Sequence, residues 1–262
     1  MRRRFLLAAL AVIALAGCSA RPVGPGPDSP GPVGPGTDGG GTVVVLAAAS
    51  LQEAFTELGA AFESAHPGTT VRLGFGGSAD LAAQITQGAP ADVFAAAAQA
   101  NMDQVVAAGL ASDPVVLARN RMGIATPPGN PAGIGSLADL ARPGVKLALC
   151  QPQVPCGFGA AAVFGKAGIH PEPVTWESDV KSVLSKVELG EVDAGLVYVT
   201  DVRSAGDKVT GIPIPDTWNA AADYPIARLS AAPNPAGAAA FVDFVLSPTG
   251  RAALTRLGFE GP

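Results

Sequence analysis

Two kinds of hydrophobic pattern alternate along residues 42–262. A continuous apolar run at 43–46 is typical of a strand covered on both faces, and further short, mainly apolar stretches that predict strands occur at 71–75, 91–97, 122–126, 145–149 and 194–199. Between these runs the apolar residues recur with helical spacing, as they do at Leu51, Ala54, Phe55, Leu58 and Phe62. Because strands and helices alternate, the pattern predicts an α/β fold with mainly parallel sheets flanked by helices.

The middle of the chain repeats this strand–helix pattern as a set of its own. Helices are predicted near Met102 and at 79–88, 159–168, 179–190, 235–246 and 248–257. This is more chain than one doubly wound sheet needs, so we expect two lobes with a cleft between them. We expect the first lobe to comprise 42–120 with 221–262, and the second to comprise 121–220.

Residues 1–17 have the composition of a signal peptide. MRRR is followed by the apolar run FLLAALAVIALA, which is too short to cross a membrane. The tetrapeptide LAGC, ending at Cys18, resembles a bacterial lipobox, which implies acylation of the Cys18 thiol and anchoring on the extracytoplasmic face of the cell membrane. An ordinary signal peptide with a chance cysteine is the alternative.

Residues 18–41 predict a lipidated cysteine followed by a disordered tether. Fourteen of the twenty residues in 22–41 are Pro or Gly, so this segment cannot bury a core. Loss of residues 1–17 removes three Arg and no acid, which moves the net charge from −5 to −8. A chain this acidic is not expected to bind nucleic acid.

Cys150 and Cys156 remain as a pair in CQPQVPC. Outside the cytoplasm a disulfide across this short loop is expected, with two free thiols as the alternative. His66 and His170 have no metal-ligand spacing, so no metal site is predicted.

Two turns share one construction, in which a strand passes through small residues to a serine at a helix start. LAAAS ends at Ser50 and GFGGS ends at Ser78. The amide groups at a helix start lack intrahelical partners and favour anions. Either serine alone could be an ordinary helix cap. Both turns are expected at the carboxyl edge of one sheet, and together they predict an anion site.

Six stretches, in order from about Thr42 to Phe259, resemble the molybdate-binding proteins of ABC transporters. They are VVVLAAASLQEAF, FGGSADLAAQI, GAPADVFAAA, VPCG, SDVKSVLSKVELGEVDAGLVYVTD and DYPIA. The resemblance implies a type II periplasmic-binding-protein fold that closes on a tetrahedral oxyanion. It also implies a monomer that delivers molybdate or tungstate to an ABC permease, with no cofactor.

The resemblance also implies the site residues. Ser50 and Ser78 are expected to bind through hydroxyl and amide groups, Cys156 and Val180 through the backbone N–H, and Tyr198 through its phenol. Many members of the family have Ala at the position of Cys156, but a backbone donor tolerates that change. From the sequence alone, Val180 and Tyr198 could equally be core residues. Donors of this kind select a fully deprotonated dianion, which only accepts hydrogen bonds.

Other functions remain as alternatives. A binding protein for sulfate or phosphate would need similar donors. An exported serine hydrolase is suggested only by the S-x-x-K string at Ser178–Lys181, whose partner motifs are absent, so we expect no enzymatic activity. Asp80 and Asp179 are interpreted as acids that complement helix dipoles rather than as ligands.

Overall fold

The computed structural model describes residues 40–262. The predicted signal peptide, Cys18 and nearly all of the tether lie outside the described residues. Within the described part of the chain, no helix combines the length and apolar character needed to span a membrane.

Strands and helices alternate along most of the described chain. The strands are β1 (Gly41–Ala48), β2 (Thr69–Gly76), β3 (Val93–Ala95), β4 (Val115–Thr126), β5 (Leu147–Cys150), β6 (Thr175–Glu177), β7 (Ala194–Tyr198), β8 (Thr210–Pro213) and β9 (Ala221–Arg228). The α-helices are α1 (Gln52–Ala65), α2 (Ser78–Thr86), α3 (Gln99–Ala107), α4 (Pro155–Ala167), α5 (Val180–Glu188), α6 (Val199–Ala205), α7 (Pro235–Leu246) and α8 (Pro248–Arg256). This confirms the predicted α/β class.

The strands of residues 40–262 form one nine-stranded sheet in the order β2-β1-β3-β9-β4-β7-β5-β6, with β8 also paired to β4. The pairs of β1 with β2 and β3, and of β5 with β6 and β7, are parallel. The remaining pairs are antiparallel, and each of them involves β4 or β9. The predicted parallel arrangement therefore describes the two outer parts of the sheet, whereas the strand pairs in the middle are antiparallel.

Several elements differ from the predicted ones where the hydrophobic pattern is weak. Strand β4 begins at Val115, whereas the apolar pattern predicts a strand only from 122. The pattern misses the first part because polar residues at 119–121 interrupt the apolar run, although this part pairs with β9. Helix α4 begins at Pro155 instead of 159, with proline in the first turn, where its missing N–H costs nothing. The strand predicted to end at 199 ends at Tyr198, and α6 follows directly. The elements β6, β8, β9 and α6 were not predicted.

The buried apolar residues form separate clusters that define two lobes. One cluster consists of Ala49 and residues between 122 and 214, many of which belong to the end of β4, to β5 and β7, and to α4 and α5. The other two consist of residues between 43 and 118 and between 224 and 259. We call the part of the molecule around the first of these clusters the second lobe, and the part around the other two clusters the first lobe. Strand β4 runs from one lobe into the other, and the predicted boundaries at 120/121 and 220/221 stay a prediction.

Candidate functional site

The two strand–serine–helix turns lie side by side. Strands β1 and β2 are parallel, and Ala48 at the end of one is in register with Gly76 at the end of the other. Ser50 follows in a 3-10 turn, Ala49–Leu51, that leads into α1. Ser78 is the first residue of α2. Both turns therefore open at the same edge of the sheet, as predicted.

A small cavity lies where these turns meet the second lobe. Its volume is about 10 Å³, close to the smallest space that holds one water-sized group. It is lined by the starts of four helical segments together with Ala97 and Tyr198; the segments are Ala48–Ser50, Gly76–Ser78, Val154–Cys156 and Asp179–Val180. Four positive ends of helix dipoles therefore face a space suited to a single small anion.

All five residues predicted to bind the ligand line this cavity: Ser50, Ser78, Cys156, Val180 and Tyr198. The first lobe contributes the two serines, and the second lobe contributes the other three. Cys156 and Val180 lie in the first turns of α4 and α5, where a backbone N–H has no intrahelical acceptor. Their positions agree with a backbone contact, although their side chains are buried.

Neither serine is the N-cap of the helical segment to which it belongs, since the N-cap residues are Ala48 and Gly77. The alternative of an ordinary helix cap is therefore wrong for both serines. The Oγ of Ser78 accepts a hydrogen bond from the backbone N–H of Ala97 at 3.0 Å. The Oγ of Ser50 is 2.8 Å from the hydroxyl oxygen of Tyr224. Both serines are buried, with 4% and 1% of Ser50 and Ser78 exposed. Both hydroxyls are therefore held by residues outside their own turns, Tyr224 on β9 and Ala97 between β3 and α3, and remain beside the cavity.

Tyr198 presents a buried hydroxyl that lacks a partner. Only 1% of the residue is exposed, and its Oη makes no hydrogen bond to any described residue. Burial, together with the neighbouring Tyr224 and Asp201, raises the pKa of Tyr198 well above its ordinary value. The phenol is therefore protonated at physiological pH and can donate to a ligand. Leaving such a donor unpaired costs about 1–3 kcal/mol.

The cavity has no cationic side chain among its described lining residues. Asp179 does line it, but as the N-cap of α5 its carboxylate accepts from the N–H and the hydroxyl of Ser182, at 3.0 and 2.9 Å. This agrees with the interpretation of Asp179 as a helix-terminal acid. Asp80 lies in the first turn of α2 and does not line the cavity. The positive potential comes from helix ends.

The predicted Cys150–Cys156 disulfide is present. It joins the end of β5 to the first turn of α4, with the two Cα atoms 5.6 Å apart. Gly157 follows directly, and any side chain there would collide with the carbonyl group of Gln151. The bridge and this close contact together fix the loop that presents the amide of Cys156. Elsewhere in residues 40–262, no group of three or more His, Cys, Asp or Glu is arranged to hold a metal ion.

Sequence reasoning missed two buried polar residues behind the cavity, Asn120 and Tyr224. Both are fully buried, on β4 and β9 respectively. The available signal was the stretch DYPIA, which contributed to the family resemblance while Tyr224 itself received no role. The polar Asn120 gave no signal, because it lies in a stretch that was not predicted as a strand.

Comparison with known proteins identifies the family. Residues 43–260 match the family described as bacterial extracellular solute-binding protein. The chain belongs to this family. As a bacterial extracellular solute-binding protein, it has the expected cleft between two lobes, lined from both sides.

Individual relatives of this solute-binding protein agree with that assignment. The molybdate-binding protein ModA of Mycobacterium tuberculosis H37Rv is 45% identical over 258 residues, which cover 98% of this chain and 97% of the relative. The predicted resemblance to molybdate-binding proteins is thus confirmed. The periplasmic molybdate-binding protein of Azotobacter vinelandii superposes with a TM-score of 0.76 at 21% identity, covering 84% of this chain and 99% of the other.

The fold alone does not distinguish between oxyanions. The sulfate-binding protein SubI of M. tuberculosis H37Rv also superposes with a TM-score of 0.76, at 18% identity, covering 84% of this chain and 86% of the other. Both structural matches support the two-lobed fold.

Proposed function

We propose that this protein captures molybdate, and also tungstate, outside the cytoplasm and delivers the anion to an ABC permease. It acts as a monomer, has no enzymatic activity and needs no cofactor, since molybdate is its cargo. Acylation of Cys18 anchors it to the extracytoplasmic face of the cell membrane, and the Pro/Gly tether separates the folded lobes from the lipid. The relative named molybdate-binding protein, at 45% identity, supports the choice of cargo.

The observation that carries this proposal is the buried, unpartnered hydroxyl of Tyr198 in a cavity surrounded by helix starts. Such a hydroxyl supports an acceptor-rich ligand beside it, since an unpaired buried donor is costly. The small cavity, about 10 Å³, argues against a ligand with a carbon skeleton. Ser50, Ser78, Cys156 and Val180 supply the remaining donors.

Sulfate and phosphate remain the second candidates, because the structural likeness to a sulfate-binding protein is equally strong. Calorimetry of the domain 42–262 with molybdate, tungstate, sulfate and phosphate in turn separates them. We expect one molybdate or tungstate per chain and a rise in melting temperature through mass action on the native state. Stabilisation by sulfate or phosphate alone, at matched concentration, would overturn the assignment.

Membrane anchoring needs its own experiment. Cys18→Ser removes the thiol that acylation uses, so the variant should leave the membrane fraction while the wild type stays there. Mass spectrometry that found an unmodified Cys18 in membrane-bound wild-type protein would refute the anchor without affecting the proposed ligand.

A further inference from the structure

A chain of buried polar side chains leads from the interior to Ser50. The Nδ2 of Asn120 is 3.3 Å from the Oη of Tyr224, and that Oη is 2.8 Å from the Oγ of Ser50. The same Nδ2 donates to the Oγ1 of Thr200 at 2.8 Å. Asn120, Tyr224, Ser50 and Thr200 are all at least 95% buried.

The direction of the first hydrogen bond along this chain is set at Asn120. Its Oδ1 accepts from the backbone N–H of Arg121 at 2.9 Å, which turns the NH₂ group towards Tyr224 and Thr200. An amide NH₂ only donates, so the oxygen of Tyr224 accepts from Asn120. The phenolic proton of Tyr224 is then available to Ser50. Burial also raises the pKa of Tyr224, so the phenol keeps that proton.

Once Ser50 accepts from Tyr224, its own proton needs an acceptor. Among the residues that the structure describes, Tyr224 is the only hydrogen-bond partner of the Ser50 hydroxyl. The hydroxyl proton of Ser78 needs an acceptor too, since the Ser78 oxygen accepts a hydrogen bond from the N–H of Ala97. Burying a hydroxyl proton unpaired is costly, and the cavity is the remaining place for an acceptor.

We propose that Asn120 and Tyr224 are positioning residues that make Ser50 a hydrogen-bond donor towards the ligand. Protons point in one direction, from Asn120 to Tyr224, from Tyr224 to Ser50, and from Ser50 to the oxyanion. The site then accepts fully deprotonated tetrahedral anions and disfavours those that carry an O–H group, because that group would meet only donors. This inference rests on the proposed oxyanion-binding function and assigns the residues that set its specificity.

Tyr224→Phe is the deciding variant, because it removes one oxygen and keeps the buried ring. Freed from Tyr224, Ser50 can turn its oxygen towards a ligand O–H. Ser50 can still donate to a dianion but is no longer held in that direction, so we expect molybdate and sulfate affinity to fall by up to about tenfold, less than for loss of the hydroxyl itself, while phosphate affinity stays constant or rises. Calorimetry with the three anions near neutral pH, where phosphate keeps at least one proton, measures this change in preference.

Asn120→Asp should reverse the direction of the hydrogen bonds between this position, Tyr224 and Ser50. A carboxylate accepts, so the proton of Tyr224 would turn to Asp at this position, and Ser50 would donate to Tyr224 instead of the ligand. We expect a loss of molybdate affinity of about a hundredfold, from the lost donor and the added charge. The double variant Asn120→Asp/Tyr224→Phe keeps the added charge but has no phenol whose hydrogen bond could reverse. Asn120→Asp should therefore lower molybdate affinity much less in the Tyr224→Phe background than in the wild type.

The outcomes separate this inference from the proposed function. Ser50→Ala supplies the benchmark for loss of the donor, and the melting temperature without ligand reports on folding. If Tyr224→Phe bound all three anions as the wild type does while Ser50→Ala weakened molybdate, the positioning role would be refuted and the proposed function would stand. Equal losses from Asn120→Asp in both backgrounds would likewise refute it, since charge alone would then explain the effect. A wild-type protein that bound no oxyanion would refute both the positioning role and the proposed function.

Discussion

The carboxylate of Glu53 and the ammonium group of Lys181 form an ion pair across the two lobes, with Oε1 and Nζ 2.8 Å apart. Glu53 lies in the first turn of α1 and Lys181 in the first turn of α5, next to Val180. The same ammonium group lies 3.1 Å from Oδ1 of the fully buried Asp201. Burial lowers the pKa of Lys181, but Asp201 and Glu53 together raise it, so this cation stays charged.

Glu53→Gln should weaken ligand binding, because separation of the lobes breaks this ion pair and closure restores it. Exposed pairs contribute about 0.2–1 kcal/mol, so a loss of up to about fivefold in affinity is expected by calorimetry. Glu57→Gln is the matched control: Glu57 lies on the same helix, its side chain is equally exposed at 42%, and it pairs with Arg256 inside the first lobe. Equal effects from both variants would exclude a role across the lobes.

Gly77→Ala should prevent close approach of the lobes at the cavity. A Cβ at Gly77 would collide with the backbone carbonyl oxygen of Ser178, which belongs to the second lobe. The φ of Gly77 is −61°, so alanine itself is not strained there. We expect affinity to fall by about fivefold to 150-fold, as overpacking typically costs about 1–3 kcal/mol, with little change in unliganded stability.

Gly76→Ala is the control for that experiment. Its Cβ would meet the side chain of Leu81 at 3.5 Å, an ordinary contact within the first lobe. If Gly76→Ala and Gly77→Ala weakened binding equally, the contact between Gly77 and Ser178 would not be the cause.

Side-chain donors and backbone donors should respond differently to truncation. Ser50→Ala, Ser78→Ala and Tyr198→Phe each remove a hydroxyl, and each should weaken molybdate binding by about tenfold to a hundredfold. Val180→Ala keeps its amide, so affinity should change little, while loss of a buried side chain lowers stability by on the order of 1–3 kcal/mol. Titration and denaturant unfolding check both. Loss of binding in Val180→Ala with normal binding in both serine variants would contradict the site.

Reduction of the Cys150–Cys156 disulfide should affect binding more than unliganded stability. The bridge closes a loop with a sequence separation of 6, which contributes about 2 kcal/mol in the chain-entropy model. The same loop presents the amide of Cys156 to the cavity. Calorimetry with and without reductant measures the change, and a Cys150→Ala/Cys156→Ala variant should be insensitive to reductant. Two free thiols per domain in unreduced, denatured protein would refute the bridge.

Stability should fall above about pH 10 because of Tyr198 and Tyr224, the two tyrosines of the chain. Burial raises the pKa of both in the folded state, whereas unfolded tyrosine ionises near pH 10. The unfolded state then loses protons that the folded state keeps. Stability is thus fully present below about pH 10 and declines as pH rises towards the folded values, by up to about 1.4 kcal/mol per pH unit for each tyrosine.

Denaturant unfolding across this range checks the decline, with Tyr198→Phe expected to remove about half of the tyrosine contribution. Tyrosinate absorbance in the folded protein should stay low until unfolding. Early ionisation in the folded state would show that these phenols are not buried as described.

The parts of the site that could be predicted are those encoded by neighbouring residues. Each strand–serine–helix turn is formed by residues close together in sequence. Its small residues lie just before Ser50 or Ser78 and its helical spacing begins just after, so the local pattern predicts the turn. The pairing of Ser50 with Tyr224 joins residues 174 positions apart, and no periodicity reveals it. Strand β4 was predicted too short for a related reason: its first part is polar at Arg119 and Arg121, and pairing with β9 overrides that local pattern.

The pairing of β3 with β9 has a consequence for how the chain assembles during export. Val93 lies opposite Arg228, so the first lobe is completed by residues that emerge more than a hundred positions later. Until then one side of β3 is an open edge with unpaired backbone groups. The second lobe lies within a continuous stretch, so it can fold first and bring the two ends of the first lobe together. A chain truncated before Ala221 would therefore emerge with the turns that carry Ser50 and Ser78 on an incomplete sheet.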